Sequence, residues 1–346
     1  MFIVKSYLLA VILCVVTMMC WGSWGNTQKL AGKSWRYELF YWDYVIGILL
    51  FSLLVGFTLG SFGEEGRSFT ADLAQLSLPT FGWIILGGII FNLSNILLSA
   101  SISQAGMSVA FPVGVGLALV LGVIQNYILQ AKGNPVLLFL GVSLVVVAII
   151  VNGIASGRIQ KLRARKAGLG SEASKNSSSG KKGIILAVIA GVLMSFFYSF
   201  VAKGMDLDNF ENPAIGKATP YTAFFIFAVG IFLSNFLWGT LAMKHPVEGK
   251  PVSYSDYFKG GGSIHLVGVL GGIVWGLGTV LSYIVAGKAG AAISYALGQG
   301  APMIAALWGV FVWKEFKGAD KKTNTYLAIM FLFFIAGLAT IVYAGR

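Results

Sequence analysis

The chain has 346 residues, 57% of them hydrophobic and 11% charged, which leaves too little polar surface to cover a water-soluble globule of this size. Its formal net charge of +12 does not mark a nucleic-acid binder, because the lysines and arginines sit between long apolar runs and form no single basic face. Cys14 and Cys20 share one apolar run without metal-ligand spacing, so neither a disulfide framework nor a metal site is expected, and no cofactor.

Apolar runs long enough to cross a hydrocarbon core of about 30 Å fall near 7–25, 39–60, 82–103, 107–130, 136–156, 183–203, 219–243, 264–287, 290–313 and 325–343. They lack the alternation of a barrel, and exposed strand edges cannot be satisfied in lipid, so all ten are predicted to be helices. The first run follows Lys5 and has the outline of a secretory leader. The segment WGSWGNTQKL after it lacks a small-x-small cleavage site, and the run is read as a membrane helix. It ends in Trp21, Ser23, Trp24 and Asn26, which suit either a polar cavity wall or an interfacial aromatic belt.

The second run holds Asp43, the one carboxylate inside the apolar part of a helix away from its last turn. A proton-coupled carrier needs a carboxylate that gains and loses a proton as it moves between wet and dry surroundings, so Asp43 is the candidate proton carrier. The alternative is an interface residue paired with Arg36 or Lys33. The third run places Asn92, Asn95 and Ser99 on one helical face. The fourth contains Pro112 in FPVGVG. After the fifth comes a basic, Gly/Ser-rich segment, 158–182, with the composition of a flexible linker. Its Gly180-Lys181 pair has Lys175 where a phosphate-binding loop needs its first glycine, so no ATP drive is expected.

The sixth run offers Ser195, Tyr198 and Ser199. The eighth carries Trp275, Thr279, Ser282 and Tyr283, and the ninth Tyr295, Gln299 and Pro302 on one face. Polar groups at this depth serve as interhelical glue or line a cavity. Proline and clustered glycine free backbone carbonyls near mid-membrane. Glu315, next to Lys314, is read as a local ion pair.

Eighteen of the 25 Lys and Arg residues lie in the odd-numbered connections. The positive-inside rule makes those connections cytoplasmic and puts both termini outside. Sliding the sequence by 184 places Gly87, Gly88, Gly106, Gly114 and Gly116 on Gly271, Gly272, Gly290, Gly298 and Gly300, and a slide of 183 places Gly47 and Gly56 on Gly230 and Gly239. So many glycines in register imply two units, 1–157 and 183–346, joined by the linker. Each has an odd number of helices, so the second is inserted inverted. The expected fold is an all-α membrane protein of ten transmembrane helices in two inverted five-helix repeats.

No charged pair sits at the centre of the runs, which favours a small neutral polar solute over an ion. Aromatics with Asn, Gln, Ser and Thr suit a planar heterocycle by stacking and in-plane hydrogen bonds, and a sugar ring almost as well. The candidate substrate-binding set is Trp24, Asn92, Asn95, Ser99, Tyr198, Trp275, Thr279, Tyr283, Tyr295 and Gln299.

YWDYVIG, together with GGIIFNLSNILLSASISQAGMSVAFPVGVGLALVLGVIQNYIL, resembles the drug/metabolite transporter superfamily, most of all its ureide permease family and next its glucose and rhamnose uptake families. That resemblance implies ten helices, a cytosolic central loop and secondary uptake of allantoin-like nitrogen heterocycles. The plant members' longer central loop with its P-loop-like motif is missing here. The expected function is proton-coupled uptake by alternating access, as a monomer or homodimer. Its alternatives are a sugar porter, a passive channel or efflux pump, and a membrane-embedded enzyme. His245 and His265 lie outside the central helix segments, which weighs against the enzyme.

Overall fold

The computed structural model describes residues 1–32, 35–105, 107–166, 177–246 and 249–346. Ten helices among them are long and apolar enough to cross a membrane: α1 Tyr7–Ala31, α2 Tyr37–Phe57, α3 Leu78–Ile102, α4 Pro112–Leu129, α5 Pro135–Arg165, α6 Lys181–Gly204, α7 Pro220–Lys244, α8 Gly262–Ala289, α9 Ala291–Val312 and α10 Lys321–Ala344. With the described residues forming no strand and only one isolated bridge, Met205 to Ala218, the chain is an all-helical, multi-pass membrane protein.

Local chemistry sets the helix starts. Ser6 accepts a hydrogen bond from the Leu9 N–H at the head of α1. Thr219 caps α7 ahead of Pro220, whose fixed φ suits the first helical position. Asp320 caps α10 through the Thr323 N–H, 3.0 Å away.

Two helices run past the sequence expectation, and a third is broken at its glycines and proline. α1 passes its last apolar turn, interrupted only by a single turn residue at Trp24, and continues to Ala31. α5 runs into the segment read as linker: Gln160, Lys161, Leu162, Arg163, Ala164 and Arg165 are strong helix formers, and Arg158 ties the extension to Asp320 at 2.6 Å. Residues 167–176 of that linker lie outside the described residues. α9 is broken, with α-helix over Ala291–Gly298 and Ala301–Leu307 and a π-turn over Trp308–Val312.

The tightest packing is at two helix crossings without side chains between the backbones. A Cβ on Gly272 of α8 would stand 2.0 Å from the Tyr44 carbonyl oxygen of α2, and one on Gly47 would stand 2.2 Å from that of Val269. At the α3–α7 crossing, a Cβ on Gly88 would stand 2.3 Å from the Phe227 oxygen, and one on Gly230 2.5 Å from that of Ile85. In lipid, where apolar surface gives no drive for association, such close approach is a main source of helix adhesion. The two crossings correspond residue by residue under offsets of 183 and 184. The wider pattern follows: α3 packs on α6 as α8 does on α1, and α4 on α6 as α9 does on α1.

One end of the bundle gathers both termini. Met1 donates to the Glu65 carbonyl, Tyr7 to that of Val342, and Asn134 to that of Ala344. There Arg67 joins buried Asp72 at 2.8 Å and the Lys217 carbonyl at 2.6 Å, sewing residues 58–77 to 205–219. The other end holds the basic connections.

Candidate functional site

A cavity of about 950 Å³ opens among α1, α3, α4, α6, α8 and α9. Its mouth, at the basic end, is lined by Lys29, Arg36 and Glu315; its deep wall by Phe91, Phe197 and Trp275, all nearly buried. Trp24, Asn95, Ser99, Trp275 and Gln299 of the expected set line it, with Trp21 and Pro302. The Trp21 and Trp275 rings lie nearly parallel, 14° apart, with centroids at 6.3 Å. Trp24 leans on Tyr44 at 4.6 Å, so the tryptophans of α1 face the cavity here rather than a lipid interface. Gln299 sits at the break in α9, where Pro302 has no N–H to offer the Gly298 carbonyl.

The tyrosines of α2 hold the polar face of α3. Tyr41 donates to Asn92 Oδ1 at 2.9 Å and accepts from Asn95 Nδ2 at 3.2 Å; Ser99 donates to the Tyr37 hydroxyl at 2.9 Å. Asn92 itself is fully buried and also donates to Ser234 of α7. The remaining expected residues sit off the cavity. Thr279 accepts from Trp21 Nε1 at 3.1 Å. Tyr198 donates to the Ser282 carbonyl at 2.9 Å inside a hydroxyl cluster with Ser294, and Tyr295 donates to the Ala118 carbonyl at 3.1 Å. Tyr283 packs against Tyr198 and Phe227, its hydroxyl without a hydrogen-bond partner. These groups fill the closed half of the protein, between the cavity and the end that holds the termini.

At the mouth, Glu315 pairs with Lys29 of α1, not with its neighbour Lys314. Such an exposed pair contributes about 0–1 kcal/mol. Asp43 is 1% exposed and accepts three hydrogen bonds: from Tyr257 on Oδ1 at 2.6 Å, from Trp35 Nε1 on Oδ2 at 3.1 Å, and on Oδ1 from His265 Nδ1 at 2.7 Å if that nitrogen carries its hydrogen. Burial, and then the Asp43 carboxylate, holds the Tyr257 hydroxyl above its usual range, so it stays a donor. Arg36 pairs with Glu38 at 2.8 Å instead, and Lys33 lies outside the described residues.

Residues 40–182 and 171–344 match the protein family described as ureide permease. The chain belongs to the ureide permease family. Ureide permease 2 of Arabidopsis thaliana is 25% identical over 391 residues, covering 99% of this chain and 98% of that protein. Ureide permease 1 of the same plant is 23% identical over 387 residues. A protein of Streptococcus pyogenes serotype M1 named for sugar uptake is 24% identical over 324 residues, covering 93% of this chain and 94% of the relative. A solved crystal structure of a protein shares the fold with a TM-score of 0.61 at 16% identity, over 96% of this chain and 95% of that one. A ureide permease family protein of ten spans is a membrane transporter, not an enzyme.

Within this ureide permease family member, sequence reasoning passed over Tyr37, Tyr41, Trp35, Tyr257 and His265. The three tyrosines 37, 41 and 44 recur at helical spacing, a stripe that pointed at a polar partner helix. His265 was set aside for lying near a helix end; in the structure it is in the first turns of α8, against Asp43.

Proposed function

We propose that this protein is a secondary active uptake carrier for a small, neutral, planar polar metabolite of the ureide or nucleobase kind. The carrying observation is the cavity: aromatic rings form its deep wall, Asn95, Ser99 and Gln299 add amide and hydroxyl groups to its lining, and the charged Lys29 and Glu315 at its mouth neutralise each other. A permanently charged solute would be unmatched at that depth. The relatives' names, ureide permease 1 and 2, support a nitrogen heterocycle. The Streptococcus relative supports a sugar as the second reading.

In this reading the two units 1–157 and 183–346 are inverted copies that rock about the cavity. The corresponding crossings at Gly272 and Gly88 support it. The basic end is cytoplasmic by its excess of Lys and Arg, so the cavity faces the cytoplasm, and Asp43 carries the coupling proton. Thermal shift of the purified protein with allantoin, uracil and glucose tests the substrate, because a ligand that binds only the folded state raises the melting temperature. Stabilisation by glucose alone would overturn the heterocycle in favour of a sugar.

A further inference from the structure

We propose that the proton-binding site is a couple, His265 with Asp43, and that Trp35 conveys its state to the substrate cavity. This rests on the proton-coupled reading above and adds to it a second titrating group and a mechanical link.

Three observations carry it. The Asp43 carboxylate is buried, yet the His265 side chain against it is 25% exposed, so the imidazole is the group that meets water. Trp35 belongs to both places at once: its indole N–H donates to Asp43 Oδ2, and its ring lines the cavity. Among the described residues, no other charged side chain hydrogen-bonds or ion-pairs with Asp43. Just ahead of α2, Arg36 is held by Glu38 and the Lys250 carbonyl. On the short helix Tyr254–Phe258, Asp256 pairs with Lys259. On α1, Lys29 pairs with Glu315, and Lys244 and His245 at the end of α7 are exposed.

The step balances simply. One proton from the mouth-side solution adds to the imidazole and makes an imidazolium beside a carboxylate. Passing the Nδ1 proton to Asp43 Oδ1 leaves a neutral imidazole and a neutral carboxyl; the couple gains one positive charge and no electrons move. Oδ1 accepts from both His265 and Tyr257. Once protonated it donates back to His265 Nδ1, and it keeps for Tyr257 only the acceptor capacity of a neutral hydroxyl oxygen. The Trp35 bond to Oδ2 simultaneously loses its charge assistance, which halves its strength roughly. Both changes weaken the hold of Asp43 on Trp35 and on the 254–258 helix together, at the rim of the cavity.

Two measurements on the purified full-length protein test this. The first needs no substrate: tryptophan emission of the wild type minus that of Trp35→Phe is followed between about pH 5 and 8. A pH-dependent difference that disappears in both His265→Gln and Asp43→Asn is expected. A flat difference in the wild type overturns the couple whatever the substrate is.

The second uses proteoliposomes with labelled allantoin as probe. One proton per neutral solute and a gradient of about one pH unit support about ten-fold accumulation. His265→Gln should keep counterflow exchange, which also shows that it folds, but fall to no accumulation; Trp35→Phe should lose accumulation as well. Full accumulation by His265→Gln overturns the couple. A wild type that carries no allantoin overturns the substrate reading instead, and the emission profile then decides the couple alone.

Discussion

Replacing Gly272 by alanine tests the crossing on which the two halves lean. The added methyl would lie 2.0 Å from the Tyr44 carbonyl oxygen and 2.8 Å from the Ile48 nitrogen. Both are backbone atoms, so no side-chain rotation relieves the clash, and α2 and α8 must separate by about 1 Å along a packed interface that forfeits its contacts when gapped. Overpacking of this kind costs about 1–3 kcal/mol. Gly88→Ala, with its methyl 2.3 Å from the Phe227 oxygen, should cost a similar amount at the α3–α7 crossing. Gly82 and Gly116 have nothing within 4 Å of an added Cβ, so alanine there should be neutral or stabilise the helix by up to about 1 kcal/mol. Thermal unfolding of the detergent-purified proteins reads all four. A Gly272→Ala protein that melts with the Gly82→Ala control would refute the close crossing, and a large loss in only one of Gly272→Ala and Gly88→Ala would refute their equivalence.

Asn95→Ala removes an amide that lines the cavity and is expected to weaken probe binding by about 1–2 kcal/mol, measured by titration; unchanged affinity at normal yield would assign Asn95 to packing. Tyr283→Phe removes a buried hydroxyl that has no partner, so binding should persist and the melting temperature hold or rise; a loss of stability would show that the hydroxyl is bonded. Hydrogen bonds from the Thr323 side chain and N–H hold the Asp320 carboxyl down at about 2, with Arg158 adding to the effect. Because the folded value lies below the unfolded one, this stabilisation is complete above about pH 4 and fades as pH falls toward 2. Asp320→Asn should therefore flatten the acid limb of a stability profile, and an unaltered limb would exclude the cap. Finally, a cysteine at exposed Lys317 should react with an impermeant reagent only from the cytoplasmic side; labelling in intact cells would reverse the orientation.

The ten spans were readable because each apolar run nearly matches a membrane thickness, and the proline and glycines of ALGQGAP announced the break in α9. The α5 extension was not, since hydropathy says nothing of a basic segment whose helix-forming residues gain a partner in Asp320. The site divided along the same line. Asn95 and Ser99 show their common face by spacing alone, whereas the depth that separates them from Tyr295 depends on how ten helices stack. Asp43 stood out as an isolated carboxylate, but its His265 contact spans 222 positions, and no local pattern encodes a pairing of that range.

The break in α9 makes the two halves mechanically unequal. Gly114 and Gly116 of α4 correspond to Gly298 and Gly300 of α9, yet α4 is continuous helix through these positions while α9 gives way between its equivalents. A continuous rod resists bending because every turn is cross-braced by hydrogen bonds; a rod cut at Gln299 has a joint there. If the two sequences began as duplicates, one has kept a post and the other has acquired an elbow. The elbow carries a cavity-lining amide, so bending at that joint and moving the Gln299 side chain within the cavity wall are one displacement.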